Sequence, residues 1–273
     1  MTVNGSQFVQ NRASRTGGAI DGNVGGATIT NSSFVENSAG QSGGAINLLN
    51  HPRLEVTNSS FINNGAGWGG GALAVENGAR ATLTHVTVHS NVLYAIQRLE
   101  SGFGAQSAIN LRNSVITGSR NLLHCQGPLT ENIGNLIRGG SCEPMLSDDP
   151  MLEEPSGGAT LVSPLPGSPA IRAADPRFCP ETDQIGRPRA IVGPCDIGAI
   201  ESIPVRQALD DCAVTTIHVL NFRAEPNGTR IGQVRNNRRL SASARTPGWF
   251  QVEDQGAVGW ISADYVETEG DCG

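Results

Sequence analysis

The sequence contains no lysine: all 19 of its basic residues are arginine, set against 25 acidic residues for a formal net charge of −6. No lysine side chain is therefore available as a general base, and there is no basic excess to hold nucleic acid over a broad face. No apolar run reaches the roughly 18 residues that a membrane-spanning helix needs. Residues Met1 to Phe8 lack both the charged start and the apolar stretch of a signal peptide. Aromatic residues make up only 4% and hydrophobic residues 38% of the chain, whereas 35 of its 273 residues are glycine, a balance that favours tight turns over thick helices. A mostly β protein of two or three compact units is expected.

Cysteine is absent from the first 124 residues and concentrated in the rest, at Cys125, Cys142, Cys179, Cys195, Cys212 and Cys272. An even count points to disulfides and an oxidising compartment. Sequential pairing, 125 to 142, 179 to 195 and 212 to 272, would give each C-terminal unit its own staple, although the count alone permits other connectivities. No Cys-x-x-Cys pair or Cys–His cluster stands at zinc-ligand spacing, so neither a metal nor another cofactor is expected.

What is present is a repeat. Phe8, Phe34 and Phe61 each begin Phe-x-x-Asn, and nine residues after each phenylalanine stands Gly-Gly-Ala with an aliphatic residue: Gly17 to Ile20, Gly43 to Ile46 and Gly70 to Leu73. The period is 26, then 27 residues, and Val88 and Ile116 continue the phenylalanine column to about residue 120. Such a period suits one turn of a coil made of short strands and tight corners, a parallel β-helix whose equivalent side chains stack at roughly 4.8 Å. Three residues before the column members stand Asn31, Asn58, His85 and Asn113, where the chain must turn; asparagine tolerates the left-handed conformation of such corners. The repeat is already under way at the first residues, and an uncapped first rung would expose an unpaired sheet edge, so a chain that begins within a longer protein is expected.

These paired motifs resemble the repeats of bacterial polymorphic outer-membrane proteins and, more broadly, right-handed parallel β-helix repeat proteins. In those families the helix is a surface-displayed rod, often adhesive, and that is what the resemblance implies for residues 1–124. Residues 125–203 contain Asp149 to Leu152, Leu165 to Ile171, Thr182 to Arg189 and Cys195 to Glu201, four ordered motifs similar to the terminal segment of choice-of-anchor Q domain proteins. A disulfide-stapled, proline- and glycine-rich cap on the β-helix is expected there. Its Asp183, Arg187, Arg189, Asp196 and Glu201 suit a buried ionic network, with a catalytic acid pair as the other reading.

From residue 205 to 273 the composition changes again. Leu220 to Arg223 (Leu-Asn-Phe-Arg), Gly248 to Val252 (Gly-Trp-Phe-Gln-Val) and Gly259 to Val266 (Gly-Trp-Ile-Ser-Ala-Asp-Tyr-Val) occur in the order and spacing of bacterial SH3-type domains, which this stretch resembles. The resemblance implies a small β-barrel and, because many relatives bind peptidoglycan or its peptide bridges, a wall-binding role. On that basis Asn221, Arg223, Trp249, Trp260 and Tyr265 are the candidate ligand-binding residues, the tryptophans having core packing as their other reading.

The fold class expected is thus all-β, a right-handed parallel β-helix followed by an SH3-like barrel. The function expected is that of a non-enzymatic, monomeric binding or adhesion protein at a bacterial surface, with cell-wall polysaccharide or a peptidoglycan peptide as partner and no nucleic acid. Two alternatives stay open, a structural stalk and a carbohydrate-active lyase or glycosidase whose catalytic rungs would lie in N-terminal turns preceding these residues, since pectate lyases and polygalacturonases share the β-helix. Against the enzyme stands the scarcity of carboxylates: up to residue 147 the only aspartate is Asp21, and the spacing of Glu55 and Glu76 does not require them to meet. His85 and His89 would lie about 13 Å apart in an extended strand, too far to share one metal ion.

Overall fold

Successive turns of the repeat stack in parallel. Phe8 pairs with Phe34, Phe34 with Phe61, Phe61 with Val88, Val88 with Ile116 and Ile116 with Ile137. The rings of Phe8, Phe34 and Phe61 are stacked with 4.7 Å between centroids and interplanar angles of 1° and 4°. That distance is the spacing of hydrogen-bonded strands, so the rings repeat at the pitch of the backbone. Phe34 and Phe61 are fully buried, and Phe8 packs partly buried against the same cluster. A computed structural model describes residues 1–99, 106–117, 124–139, 142, 148–155, 158–189, 194–202, 207–226, 228–246 and 248–272. The chain divides into two units: Met1–Ser202, built on a parallel β-solenoid, and Ile203–Gly273, an antiparallel β unit.

The sequence motifs each meet a local steric demand. The corner column adopts the left-handed conformation throughout: Gly5, Asn31, Asn58, His85, Asn113 and Gly134 have φ between 47 and 61°. In each Gly-Gly pair the two residues serve different ends. The first, Gly17, Gly43 or Gly70, takes a left-handed φ of 63 to 68°. A Cβ on the second, Gly18, Gly44 or Gly71, would stand 2.1 to 2.3 Å from a backbone oxygen of the next turn. The Asn of Phe-x-x-Asn forms a ladder inside the coil, in which the amides of Asn11, Asn37 and Asn64 donate to the side-chain oxygens of Asn37, Asn64 and Asn91, each at 2.9 Å.

The boundary expected at residue 124 does not hold as the end of the coil. Cys125–Gln126 pairs with the strand Ile96–Leu99, Glu131–Ile133 with Ala108–Arg112, and Leu136–Ile137 with Val115–Thr117. Residues 125–137 are therefore another turn. They escape the repeat pattern because the spacing contracts from Ile116 to Ile137 and glycine replaces asparagine at the corner.

Residues 158–189 and 194–202, expected to close the end of the stack, instead run back along its flank. Ser33 donates to the Thr160 carbonyl, Asn58 to the Thr182 carbonyl, and Ser60 to the Gln184 side chain, whose amide donates in turn to Ser33. Farther along, the Ala199 N–H reaches Thr87 Oγ1 and the Asp175 backbone is clasped by Asn113. Beneath this strap, Val35, Ile62, Val115 and Leu136 join Leu152, Val162, Ala170, Ala174, Cys195 and Ile197 in a separate apolar cluster. The corner strands thus carry apolar residues on both faces, and the strap removes the outer set from water.

The disulfides follow the sequential pairing: Cys125–Cys142, Cys179–Cys195 and Cys212–Cys272. In the second unit, Val214, Leu220, Phe222, Val234, Leu240, Phe250, Val252 and Ile261 pack with Cys212 and Cys272 into the core.

Candidate functional site

Strand alternation in the second unit separates an inner from an outer face. Phe250 lies opposite Ile261, and Val252 opposite Gly259, so these face the core together with Phe222. A Cβ on Gly259 would stand 2.6 Å from the Phe222 ring, which accounts for the glycine of Gly-Trp-Ile-Ser. Their neighbours point outward. Gln251 lies opposite Trp260, Trp260 opposite Arg223, and Arg223 opposite Arg230, which makes one row across four strands: Trp249–Asp254, Ala257–Ser262, Leu220–Arg223 and Arg230–Val234. Trp249 stands beside this row, opposite Ser262, and Asn221 beside it, opposite Gln233.

Four of the five expected ligand residues, Asn221, Arg223, Trp249 and Trp260, therefore share one face. They differ in access. Asn221 is exposed, Arg223 and Trp249 are half-buried, and Trp260 is only 7% exposed although it points away from the core cluster. Arg223 is steadied by a 2.7 Å hydrogen bond to the Gly228 carbonyl. Tyr265 is not in the row: it lies on the short 3-10 turn Ala263–Tyr265, 48% exposed, its ring edge-on to His218 at 5.8 Å. Sequence order placed Tyr265 with the tryptophans, but the strand ends before it.

Residues 218–267 match the bacterial SH3 domain family. The match covers the whole row and the Tyr265 turn and lies within the second unit. Neither the curated proteins nor the solved structures searched contain a match to the chain. In the SH3 unit Arg238 and Arg239 are engaged by Asp254 and Glu269, whereas Arg230 on the outer face has no carboxylate partner among the described residues.

The other candidates lie on the solenoid unit. Arg189, 2% exposed, pairs with Glu201 at 3.0 Å and donates to Asn58 Oδ1 and the Gly198 carbonyl. Asp183 and Asp196 accept backbone N–H groups, from Arg187 and Glu201 and from Arg172 and Ser202 respectively. These bonds tie the strap together. His85 is enclosed, its Nδ1 donating to the Gly198 carbonyl at 3.2 Å and its Nε2 accepting from the Asn113 amide at 3.1 Å. Burial, aided by the nearby Arg189 charge, lowers its pKa to about 3. Its ring nitrogens also approach Cys179 and Cys195, but those sulfurs are joined in a disulfide.

Glu55 and Glu76 do not meet. Glu55 belongs to the ten-stranded sheet and Glu76 to the five-stranded one. Glu76 instead has Asp21 as its acidic neighbour, and burial, reinforced by that charge and opposed by a Ser42 hydrogen bond, raises its pKa.

Proposed function

We propose that this is an exported bacterial binding protein in which the solenoid is a scaffold and the SH3 unit contacts cell-wall peptidoglycan. The observation that carries the reading is the row Gln251, Trp260, Arg223 and Arg230, with Trp249 and Asn221 beside it. The amides of Gln251 and Asn221 and the guanidinium groups of Arg223 and Arg230 offer hydrogen bonds to peptide carbonyls and carboxylates, and the half-buried Trp249 indole an apolar surface for a sugar or peptide face, with Trp260 buried beneath them. Three disulfides fit an oxidising, extracytoplasmic setting. The test is co-sedimentation of the full chain with purified sacculi. Trp249→Ala and Asn221→Ala should release the protein while both variants keep the folded circular-dichroism spectrum; retention of both variants at wild-type level would sink the assignment.

One observation favours an enzymatic reading instead. Asp21 and Glu76 both alternate with core residues on one sheet and so share its outward side, and burial holds the Glu76 carboxyl above its ordinary pKa, the direction in which a general acid is tuned. That reading requires release of reducing ends from a polysaccharide by the wild type and none by Glu76→Gln.

A further inference from the structure

The solenoid has an exposed aromatic residue that its fold does not use. Trp68 is 67% exposed, at the tip of the glycine-rich loop that joins Gly65–Ala66 to Leu73–Glu76. Its backbone is held firmly: the Gly67 N–H donates to Ala39, and the Trp68 N–H to Gln41. On its other side the next turn supplies only Leu93 between Val92, which bridges to Gly65, and Tyr94, whose carbonyl accepts from Gly71. Gly67 and Trp68 thus stand exposed beside a shorter neighbour while Gly69 packs against the Gln97 side chain, and the indole is presented to solvent on a rigid mount.

The ladder continues in the opposite direction. The Gln41 N–H donates to the Arg15 carbonyl at 2.7 Å, which puts Trp68, Gln41 and Arg15 on three successive turns in one line along the coil. Two steps of about 4.8 Å separate the backbones of Trp68 and Arg15 by about 10 Å. At the Arg15 end an open cavity of about 610 Å³ is lined by Arg12, Arg15, Thr16, Asp21, Asn23 and Leu49. Arg12 and Arg15 are exposed, and neither has a carboxylate partner among the described residues. The one acid in the cavity is already engaged: Asp21 accepts from Thr16 Oγ1 at 3.0 Å and from the Asn47 amide at 2.9 Å.

We infer that this line binds an acidic oligosaccharide, a sugar ring stacking on Trp68 and uronate-type carboxylates pairing with Arg15 and Arg12. A planar guanidinium matches a carboxylate in two parallel hydrogen bonds. The indole supplies apolar area at little entropic cost because its mount is already ordered. The separation of aromatic and cationic ends selects a chain of several sugars over a single one. The site lies on the solenoid and is independent of the reading of the SH3 unit.

Isothermal titration of the full chain with a short oligogalacturonide, beside an uncharged cello-oligosaccharide of equal length, tests the site. The acidic ligand binds and the neutral one binds far more weakly. Trp68→Ala lowers the affinity about tenfold or more, as removal of a central aromatic anchor does, and Trp68→Phe retains part of it. The double variant Arg12→Gln, Arg15→Gln weakens binding and flattens its dependence on salt. Arg53→Ala, on a different sheet, changes nothing. Because the altered side chains are solvent-facing, unfolding temperatures stay at the wild-type value. No binding of the acidic ligand at millimolar concentration, equal binding of both ligands, or an unaffected Trp68→Ala variant overturns the inference. So does binding of inorganic polyphosphate in preference to the oligogalacturonide.

Discussion

His85 should make the solenoid unit acid-sensitive, and its surroundings set the size of the effect. Asn113 is oriented by the Asp175 backbone, so it presents an N–H to His85 Nε2, while the Gly198 carbonyl takes the proton on Nδ1. Both ring nitrogens are satisfied only in the neutral imidazole; a second proton would set two donors against each other, beside buried Arg189. The folded pKa of about 3 lies below the ordinary value of 6.5. Between those values the unfolded chain binds more protons than the folded one, so this contribution to stability is full above about pH 6.5 and falls as the pH drops. Each pH unit inside the window is worth about 1.4 kcal/mol, so lowering the pH to about 5 removes roughly 2 kcal/mol. Urea unfolding by circular dichroism at about pH 7.5 and about pH 5 measures it. The comparison is His85→Asn, since asparagine occupies the same left-handed corner at positions 31, 58 and 113. The variant should lose stability at both pH values and show the smaller acid penalty by about 2 kcal/mol. Parallel pH dependence in the two proteins would refute the argument.

Other substitutions probe the packing. Asn64→Ala removes the acceptor of the Asn37 backbone N–H and of one of its amide hydrogens, and one of the two donors to Asn91 Oδ1, and should cost about 1–3 kcal/mol in equilibrium unfolding. Gly44→Ala places a methyl group 2.3 Å from the Gly71 carbonyl oxygen and should cost about 1–3 kcal/mol, read as a lowered unfolding temperature. Replacing Cys212 and Cys272 by serine opens a link across 60 residues in a unit with a small core. A loss of about 2–5 kcal/mol is expected, confined to the SH3 unit and seen as earlier proteolysis there.

The coil was legible because a solenoid writes its geometry directly into a one-dimensional period. Phe8, Phe34 and Phe61 must stack if the turns hydrogen-bond, whereas the close backbone approach at the second glycine of each Gly-Gly pair emerged only from the fold. The turn at residues 125–137 was not legible, because its shortened spacing and its Gly134 corner remove the features that define the repeat. The strap was misread for a different reason. Its partners, Ser33, Ser60, Thr87 and Asn113, lie far from it in sequence and are ordinary polar residues until the fold aligns them. The outward apolar residues Val35, Ile62 and Val115 were the available sign that something covers the corner strands.

By itself the sequence determined the parallel stacking, the corner residues, the disulfide-bearing half and the order of the SH3 motifs, since each depends on neighbours at short or regular spacing. Only the tertiary structure decided that Asn221, Arg223, Trp249 and Trp260 share one face while Tyr265 does not. It likewise separated Glu55 from Glu76, and aligned Trp68 with Arg15. The physical reason is the same in each case. Which side chains meet is set by strand register and by the sheet to which each strand is assigned, and a change of one residue in register moves a side chain to the opposite face.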